Sequence, residues 1–183
     1  MSKNVLIPIA DGTEEIEAVV IIDILRRAGA NVTVAGLTEN VKCSRNVKIK
    51  ADIVLDSIRD DAEFELIVLP GGGKGVDNLI KSNKLRTIIE NNKLKSLIGA
   101  ICAAPLILDK FGIITRELHF TSHPSVKARF THGHYSDGTV VISNNVITSR
   151  GAGTAFEFAL ALVEQLYGKS MAEEISDDIL YWR

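Results

Sequence analysis

Cysteine is scarce. Only Cys43 and Cys102 occur in 183 residues, too few for a disulfide framework. Long apolar runs are also missing, and none approaches the length needed to span a bilayer. The opening Met1-Ser2-Lys3-Asn4 leads into a five-residue apolar stretch, too short for a signal-peptide core. Charge of one sign does not accumulate. The net charge is −2, and Lys and Arg are scattered, so nothing marks a nucleic-acid or anionic-membrane partner. These absences make a reducing cytoplasm the expected compartment. What remains is ordinary for a folded chain, 46% hydrophobic and 24% charged, which argues against disorder. The length fits a single domain over residues 1–183, large enough to bury its own core.

Strand and helix patterns alternate from end to end. Val5–Ile9 reads as a buried strand, Glu14–Ala28 as a helix stopped by Gly29, and Val32–Ala35 as the next strand. Val47–Val54 alternates enough to suggest edge strands. Leu66–Leu69 is a short apolar strand broken by Pro70-Gly71-Gly72-Gly73, with helical patterns around Val76–Ile80 and Leu85–Asn91 and a further strand at Leu97–Ile101. Val140–Ser143 and Val146–Thr148 flank Asn144-Asn145, a hairpin loop that tolerates positive φ. Thr154-Ala-Phe-Glu157 and Ser170-Met-Ala-Glu173 read as capping boxes. The alternation predicts a doubly wound α/β fold, a mostly parallel sheet between helices. In such sheets ligands bind beyond the carboxyl ends of the strands. Four segments fall on that rim: the loop after Ile9, the glycines after Leu69, Cys102, and Thr121-Ser-His-Pro124.

Cys102 carries the most chemistry. It ends the run Leu97-Ile-Gly-Ala-Ile101 and precedes Ala103-Ala-Pro105, where a helix begins. A strand running straight into a helix leaves a tight turn, and the small Ala100 and Ala104 permit the sharp geometry of a nucleophile elbow. Pro105 suits a first helical turn. N–H groups at a helix start favour thiolate over thiol, and with Glu17 also favouring the anion a pKa well below the free value is expected. The competing reading is a buried core cysteine. On a helical wheel Glu17 falls within the apolar arc of Val20, Ile21, Ile24, Leu25 and Ala28. Glu15, Asp23, Arg26 and Arg27 lie on the other side. A core-facing carboxyl should have a raised pKa and act as a hydrogen-bond donor, unless Glu17 bends out to solvent.

The smaller signals leave alternatives open. Gly71-Gly72-Gly73 lacks a Walker pattern, and serves either as an oxyanion site for a carbonyl attacked by Cys102 or as a plain tight turn. His123 is either a base for Cys102 or a rim histidine bonded to backbone. His132-Gly-His134 has no paired Cys or acid at metal-binding spacing, so no metal is expected. Cys43 reads as a bystander thiol. The first helix carries a second apolar set, Ile16, Val19 and Ile22, which calls for a partner and predicts a homodimer.

Together these residues resemble the ThiJ/PfpI superfamily, in its DJ-one branch of parkinsonism-associated protein deglycases. The matching stretches are Asp11-Gly-Thr-Glu-Glu-Ile-Glu17, Arg26-Arg-Ala-Gly29, Val32-Thr-Val-Ala-Gly36, Cys43-Ser-Arg45 and Leu69-Pro-Gly-Gly72. They continue through Ala100-Ile-Cys-Ala-Ala-Pro105, Thr121-Ser-His-Pro124, Gly133-His-Tyr135, Thr148-Ser-Arg-Gly151 and Thr154–Glu164. The resemblance implies a flavodoxin-like sandwich and a homodimer. It implies Cys102 as nucleophile, Glu17 as its protonated partner, and the N–H groups of Gly72 and Ala103 around an oxyanion. His123 is implied as the neighbouring histidine, and Arg45 as approaching the site across the dimer. The implied activity is a cofactor-free, glutathione-independent glyoxalase that turns methylglyoxal, an α-oxoaldehyde, into lactate. Deglycase action on glycated substrates and an oxidation-sensing, chaperone-like stress role are implied beside it. Ala104, Ala152 and Lys50 depart from the family pattern, standing where a glycine, a proline and, in its best-known member, a cysteine are usual. The tail Asp177–Arg183 also differs. A peptidase of the wider superfamily needs a histidine directly after the nucleophile, where this chain has Ala103, and an amidotransferase needs a C-terminal His–Glu dyad that is not found.

Overall fold

The computed structural model describes residues 2–181. Strand β1 (Asn4–Ile9) is buried at all but its first residue, as a strand covered on both faces must be. Helix α1 (Glu15–Arg27) follows and ends where Gly29 N donates to Arg26 O and Ala30 N to Leu25 O. That paired closure satisfies carbonyls the last turn would otherwise leave open. The chain continues through β2 (Asn31–Gly36), β3 (Asn40–Lys42), β4 (Lys48–Lys50), β5 (Ile53–Val54) and β6 (Leu66–Leu69). Then come α2 (Gly73–Ile80), α3 (Asn83–Asn92), β7 (Leu97–Ile101), α4 (Pro105–Lys110), β8 (His119–Phe120) and β9 (His134–Tyr135). The hairpin β10 (Val140–Ser143) and β11 (Val146–Ser149) leads into α5 (Ala155–Tyr167) and α6 (Lys169–Asp178).

The main sheet has the order β10-β11-β7-β6-β1-β2-β5 and is parallel except for β10. This is the expected doubly wound, flavodoxin-like arrangement. Alternate residues of β1 face opposite layers. Val5, Ile7 and Ile9 pack with α1, α5 and α6, while Leu6 joins the layer of α2, α3 and α4. The strand order reverses between β1 and β6, whose following helices pack on opposite faces. A crevice therefore opens at the carboxyl ends of these two strands. Asn144 closes the hairpin at a φ of 53°, as its residue type allows. Among the described residues, no helix is long and apolar enough to cross a membrane.

Three local expectations need correction. The Val47–Val54 stretch divides: β4 pairs with β3 in a separate two-stranded sheet, and only β5 forms an edge of the main one. Thr154 does not cap α5 with its side chain. Its Oγ1 lies 2.7 Å from Ser149 Oγ and donates to Gly151 O, bonds that tie the helix start to the end of β11. Ser170 lies inside α6, because Gly168 joins α5 directly to a helix beginning at Lys169. Two residues of the divergent tail, Trp182 and Arg183, lie outside the described residues.

Candidate active site

Cys102 has a φ of 64°, a left-handed conformation that costs a non-glycine residue about 1 kcal/mol or more. Three backbone hydrogen bonds hold it there. Cys102 N donates to Ser149 O at 3.0 Å, His123 N donates to Cys102 O at 2.8 Å, and Ala104 N donates to Ile101 O at 3.0 Å. Ala100 and Ala104 are fully buried around the turn, and Pro105 is the first residue of α4. The strand–Cys–helix elbow is therefore present, with the side chain turned toward the crevice.

Glu17 is fully buried on α1, as its place in the apolar arc predicted. Its Oε2 accepts from Gly71 N at 2.7 Å, while its Oε1 is buried without a hydrogen-bond partner. Gly71 separates the carboxyl from the thiol. A Cβ at residue 71 would lie 2.6 Å from Cys102 Cβ and 2.7 Å from Glu17 Oε2, so only glycine lets the two approach.

Burial pushes the Glu17 carboxyl up to about 7. Burial, and then the negative charge of Glu17, push the Cys102 thiol up to about 12. The expected lowering of the thiol by the helix-start N–H groups and Glu17 together is thus not met. Opposing these effects, the N–H groups of Gly72 and Ala103 bond the sulfur and favour its anion. Two negative charges in one buried site repel, so the pair retains a proton across a wide range above neutral pH. The surroundings decide where that proton rests. A thiolate meets two N–H donors, whereas an ionised Glu17 has Gly71 N and only the thiol itself to bond. A proton on Glu17 would leave the charge on sulfur, where the two N–H groups meet it.

A cavity of about 360 Å³ gathers every residue the sequence singled out: Cys102, Glu17, His123, Gly72, Ala103 and Arg45. His123 meets the rim reading, bonded to backbone, and Arg45 reaches the site within its own chain, without a second copy. His123 is exposed, and its Nδ1 accepts from Ser125 N at 3.2 Å with Ser125 Oγ at 2.7 Å. An accepting Nδ1 assigns the ring hydrogen of the neutral form to Nε2, so His123 is placed to donate rather than to take the thiol proton.

Glu15 is the residue the wheel misplaced. It is buried, with Oε2 accepting from Ser44 Oγ and Oε1 from Arg45 N, both at 2.7 Å. Burial raises its pKa, but these hydrogen bonds outweigh that, and the carboxyl is held below its ordinary value. Glu15 thereby fixes the loop that carries Arg45. Its signal lies in tertiary contact with residues 44 and 45, which a helical wheel does not contain. Cys43 is buried, and burial followed by the charges of Glu15, Glu14 and Asp11 pushes its thiol up to about 11. Its low reactivity fits a bystander. His134 stacks on His119 with ring centroids 4.8 Å apart.

Residues 3–165 match the model of the DJ-1/PfpI family. The chain belongs to this family. It is 43% identical over 185 residues to protein dj-1beta of Drosophila melanogaster, covering 98% of each. It is 42% identical over 171 residues to the glutathione-independent glyoxalase DJR-1.2 of Caenorhabditis elegans, covering 91% of this chain and 89% of that protein. The crystal structure of Drosophila DJ-1beta superposes with a TM-score of 0.95 at 42% identity, covering all of both chains. Oxidized Toxoplasma gondii DJ-1 also gives 0.95, at 38% identity and full coverage. In this DJ-1/PfpI chain, the family fold thus sets the thiol, the carboxyl and the two N–H groups around one cavity.

Proposed function

We propose that this chain is a cofactor-free, cysteine-dependent glyoxalase converting methylglyoxal to lactate without glutathione. The observation that carries this reading is the buried Glu17 beside the half-buried Cys102, with the N–H groups of Gly72 and Ala103 favouring the thiolate. The thiolate adds to the aldehyde carbon, forming a C–S bond, and the carbonyl electrons move onto oxygen. Gly72 and Ala103 N–H groups stabilise that oxyanion, and Glu17 supplies its proton, giving a hemithioacetal. The Glu17 carboxylate then removes the hydrogen on the former aldehyde carbon, and the resulting enediol is protonated at the neighbouring carbon. One carbon is oxidised and the other reduced, so no external redox partner is needed. Water cleaves the thioester, releasing lactate and returning the thiol. The C. elegans relative named as a glyoxalase supports the assignment. The test is lactate formation from methylglyoxal in glutathione-free buffer, with loss of turnover in proportion to alkylation of Cys102. No lactate, or turnover that survives complete alkylation, overturns it. Addition of the same thiolate to early glycation adducts extends the proposal to deglycase activity.

A second reading, an oxidation sensor with a chaperone-like stress role, rests on the unpartnered Glu17 Oε1. One thiolate consumes two peroxides to form a sulfinate and two waters, and a protonated Oε1 can hydrogen-bond the added oxygen. Mild peroxide is expected to add two oxygens to Cys102 while Cys43 stays reduced. Peptide mapping that finds both cysteines equally oxidised rejects this reading. Two free thiols suit a reducing compartment, and we place the protein in the cytoplasm.

The homodimer is proposed on α1. Ile16 and Val19 are 53% and 49% exposed there, a poor arrangement for apolar side chains unless a twofold mate covers them. Sedimentation is expected to show a dimeric wild type at micromolar concentration and a monomeric Val19→Glu variant. A monomeric wild type or a fully dimeric variant refutes this interface.

A further inference from the structure

A second cavity, of about 410 Å³, adjoins the Cys102 cavity and shares Ser44, Arg45 and Gly73 with it. Lys42, Arg45 and Lys74 line it, against a single carboxylate, Asp11. None of the three cations makes a salt bridge among the described residues. All three are exposed, and the Arg45 guanidinium donates to Ser44 O at 3.3 Å. The nearby carboxylates are engaged elsewhere: Asp11 Oδ1 accepts from Lys42 N, Glu15 from Ser44 Oγ and Arg45 N, and Glu14 from Glu17 N.

Each cation stands on an anchored backbone. Lys42 is tied at both ends of its peptide unit, its N–H to Asp11 and its carbonyl to Gly12 N at 2.8 Å. Arg45 is held by Glu15. The stem of Lys74 crosses directly over Gly12. A Cβ at residue 12 would lie 2.6 Å from Lys74 Cβ and 2.9 Å from Lys74 Cγ, so the bare glycine is what admits the lysine. Two segments far apart in sequence, β3 with the loop after it and the start of α2, therefore present positive charge to one space.

We propose that this cavity is an anion subsite that receives the phosphoryl tail of an α-oxoaldehyde whose aldehyde carbon reacts at Cys102. Two ammonium groups and a guanidinium, which can clamp two oxygens at once, match a dianionic phosphate better than a single negative charge. Ser44, Arg45 and Gly73 border both cavities, and this adjacency favours a tail of the reacting molecule over a separate free anion. The inference rests on the glyoxalase reading and specifies its substrate class.

The test compares hydroxypyruvaldehyde phosphate with methylglyoxal, which has no tail and so reports on the Cys102 site alone. In the wild type, kcat/KM for the phosphorylated compound is expected to be about tenfold or more above that for methylglyoxal. The double variant Lys42→Met/Lys74→Met should lose this preference while its methylglyoxal kcat/KM stays within about twofold. A separate arm titrates inorganic phosphate into Cys102→Ser protein by phosphorus NMR, and saturable binding that disappears with the two lysines is expected. Equal kcat/KM for the two substrates, or a preference that survives the double variant, overturns the proposal. Lysine-dependent phosphate binding without substrate preference marks a free-anion site and overturns the tail assignment. The absence of methylglyoxal turnover beside lysine-dependent phosphate binding removes the glyoxalase reading instead, and leaves an anion site serving other chemistry.

Discussion

Methylglyoxal turnover at neutral pH is expected to vanish in Cys102→Ser and to fall about a hundred- to ten-thousand-fold in Glu17→Gln. Serine occupies the same elbow, but its hydroxyl is far less acidic than a thiol, and one buried carboxyl cannot ionise it. Glutamine keeps the volume of Glu17 and loses both the proton it donates and the base it becomes. The pH profile separates this role from a structural one. The Glu17–Cys102 pair loses the first of its two protons near 7 in the folded chain. Below that point both Glu17 and Cys102 hold protons, and the sulfur is not nucleophilic. The wild-type rate should therefore fall about tenfold per pH unit below 7. In Glu17→Gln that limb should move up toward the thiol's own range. A limb that stays near 7 in the variant assigns it to another group, His123 foremost, and defeats the Glu17 mechanism.

Stability should move in the opposite direction. The folded pKa of Glu17 lies above the unfolded value of 4.5, so folding binds its proton more tightly. The resulting stabilisation is full below pH 4.5 and is lost as pH rises through about 7. By pH 8 the shift has cost up to about 3 kcal/mol relative to acid conditions, at about 1.4 kcal/mol per pKa unit. Glu17→Gln has no such titration. It should therefore melt higher than the wild type at pH 8 while turning over far more slowly, a combination that unfolding cannot produce.

The elbow and the core-facing carboxyl were legible in the sequence because each depends on local order. A strand, a cysteine, two alanines and a proline encode the turn at Cys102, and helical periodicity places Glu17 inward. The strand–helix alternation likewise carries the sheet class. Glu15 was illegible because what buries it, Ser44 and Arg45, arrives from a loop about thirty residues away. The two capping boxes failed for the same kind of reason. Thr154 has a better offer from Ser149 and Gly151, and Gly168 leaves no room for a cap at Ser170. The thiol's titration was misjudged in cause. Sequence order shows the helix-start N–H groups and a core-facing Glu17, but not that an ionised Glu17 raises the thiol through its charge. Nothing local in the sequence joins Lys42 to Lys74, which the fold brings to one cavity across Gly12.

Gly71→Ala tests how closely the pair must be held. The added methyl would lie 2.6 Å from Cys102 Cβ, 2.7 Å from Glu17 Oε2 and 2.9 Å from Ile101 O. Carbon atoms do not approach so closely, and the backbone carbonyl is not free to move, so the thiol and the carboxyl must spread apart. The Gly71 N–H that bonds Glu17 Oε2 at 2.7 Å shifts with them. A displacement on the order of 1 Å at a reacting group costs about a hundredfold in rate. Overpacking a filled interior costs a further ~1–3 kcal/mol of stability. Gly73→Ala, two residues on, is the control for folding. Its Cβ would meet nothing within 4 Å, and it lies at the start of α2 with no positive φ. That substitution should leave stability unchanged or raise it by about 0.4–1 kcal/mol, through a less flexible unfolded chain. Thermal melts of both variants and methylglyoxal kinetics of Gly71→Ala decide the question. Wild-type kinetics in Gly71→Ala would show that the Glu17–Cys102 contact is dispensable, and the shared-proton mechanism with it.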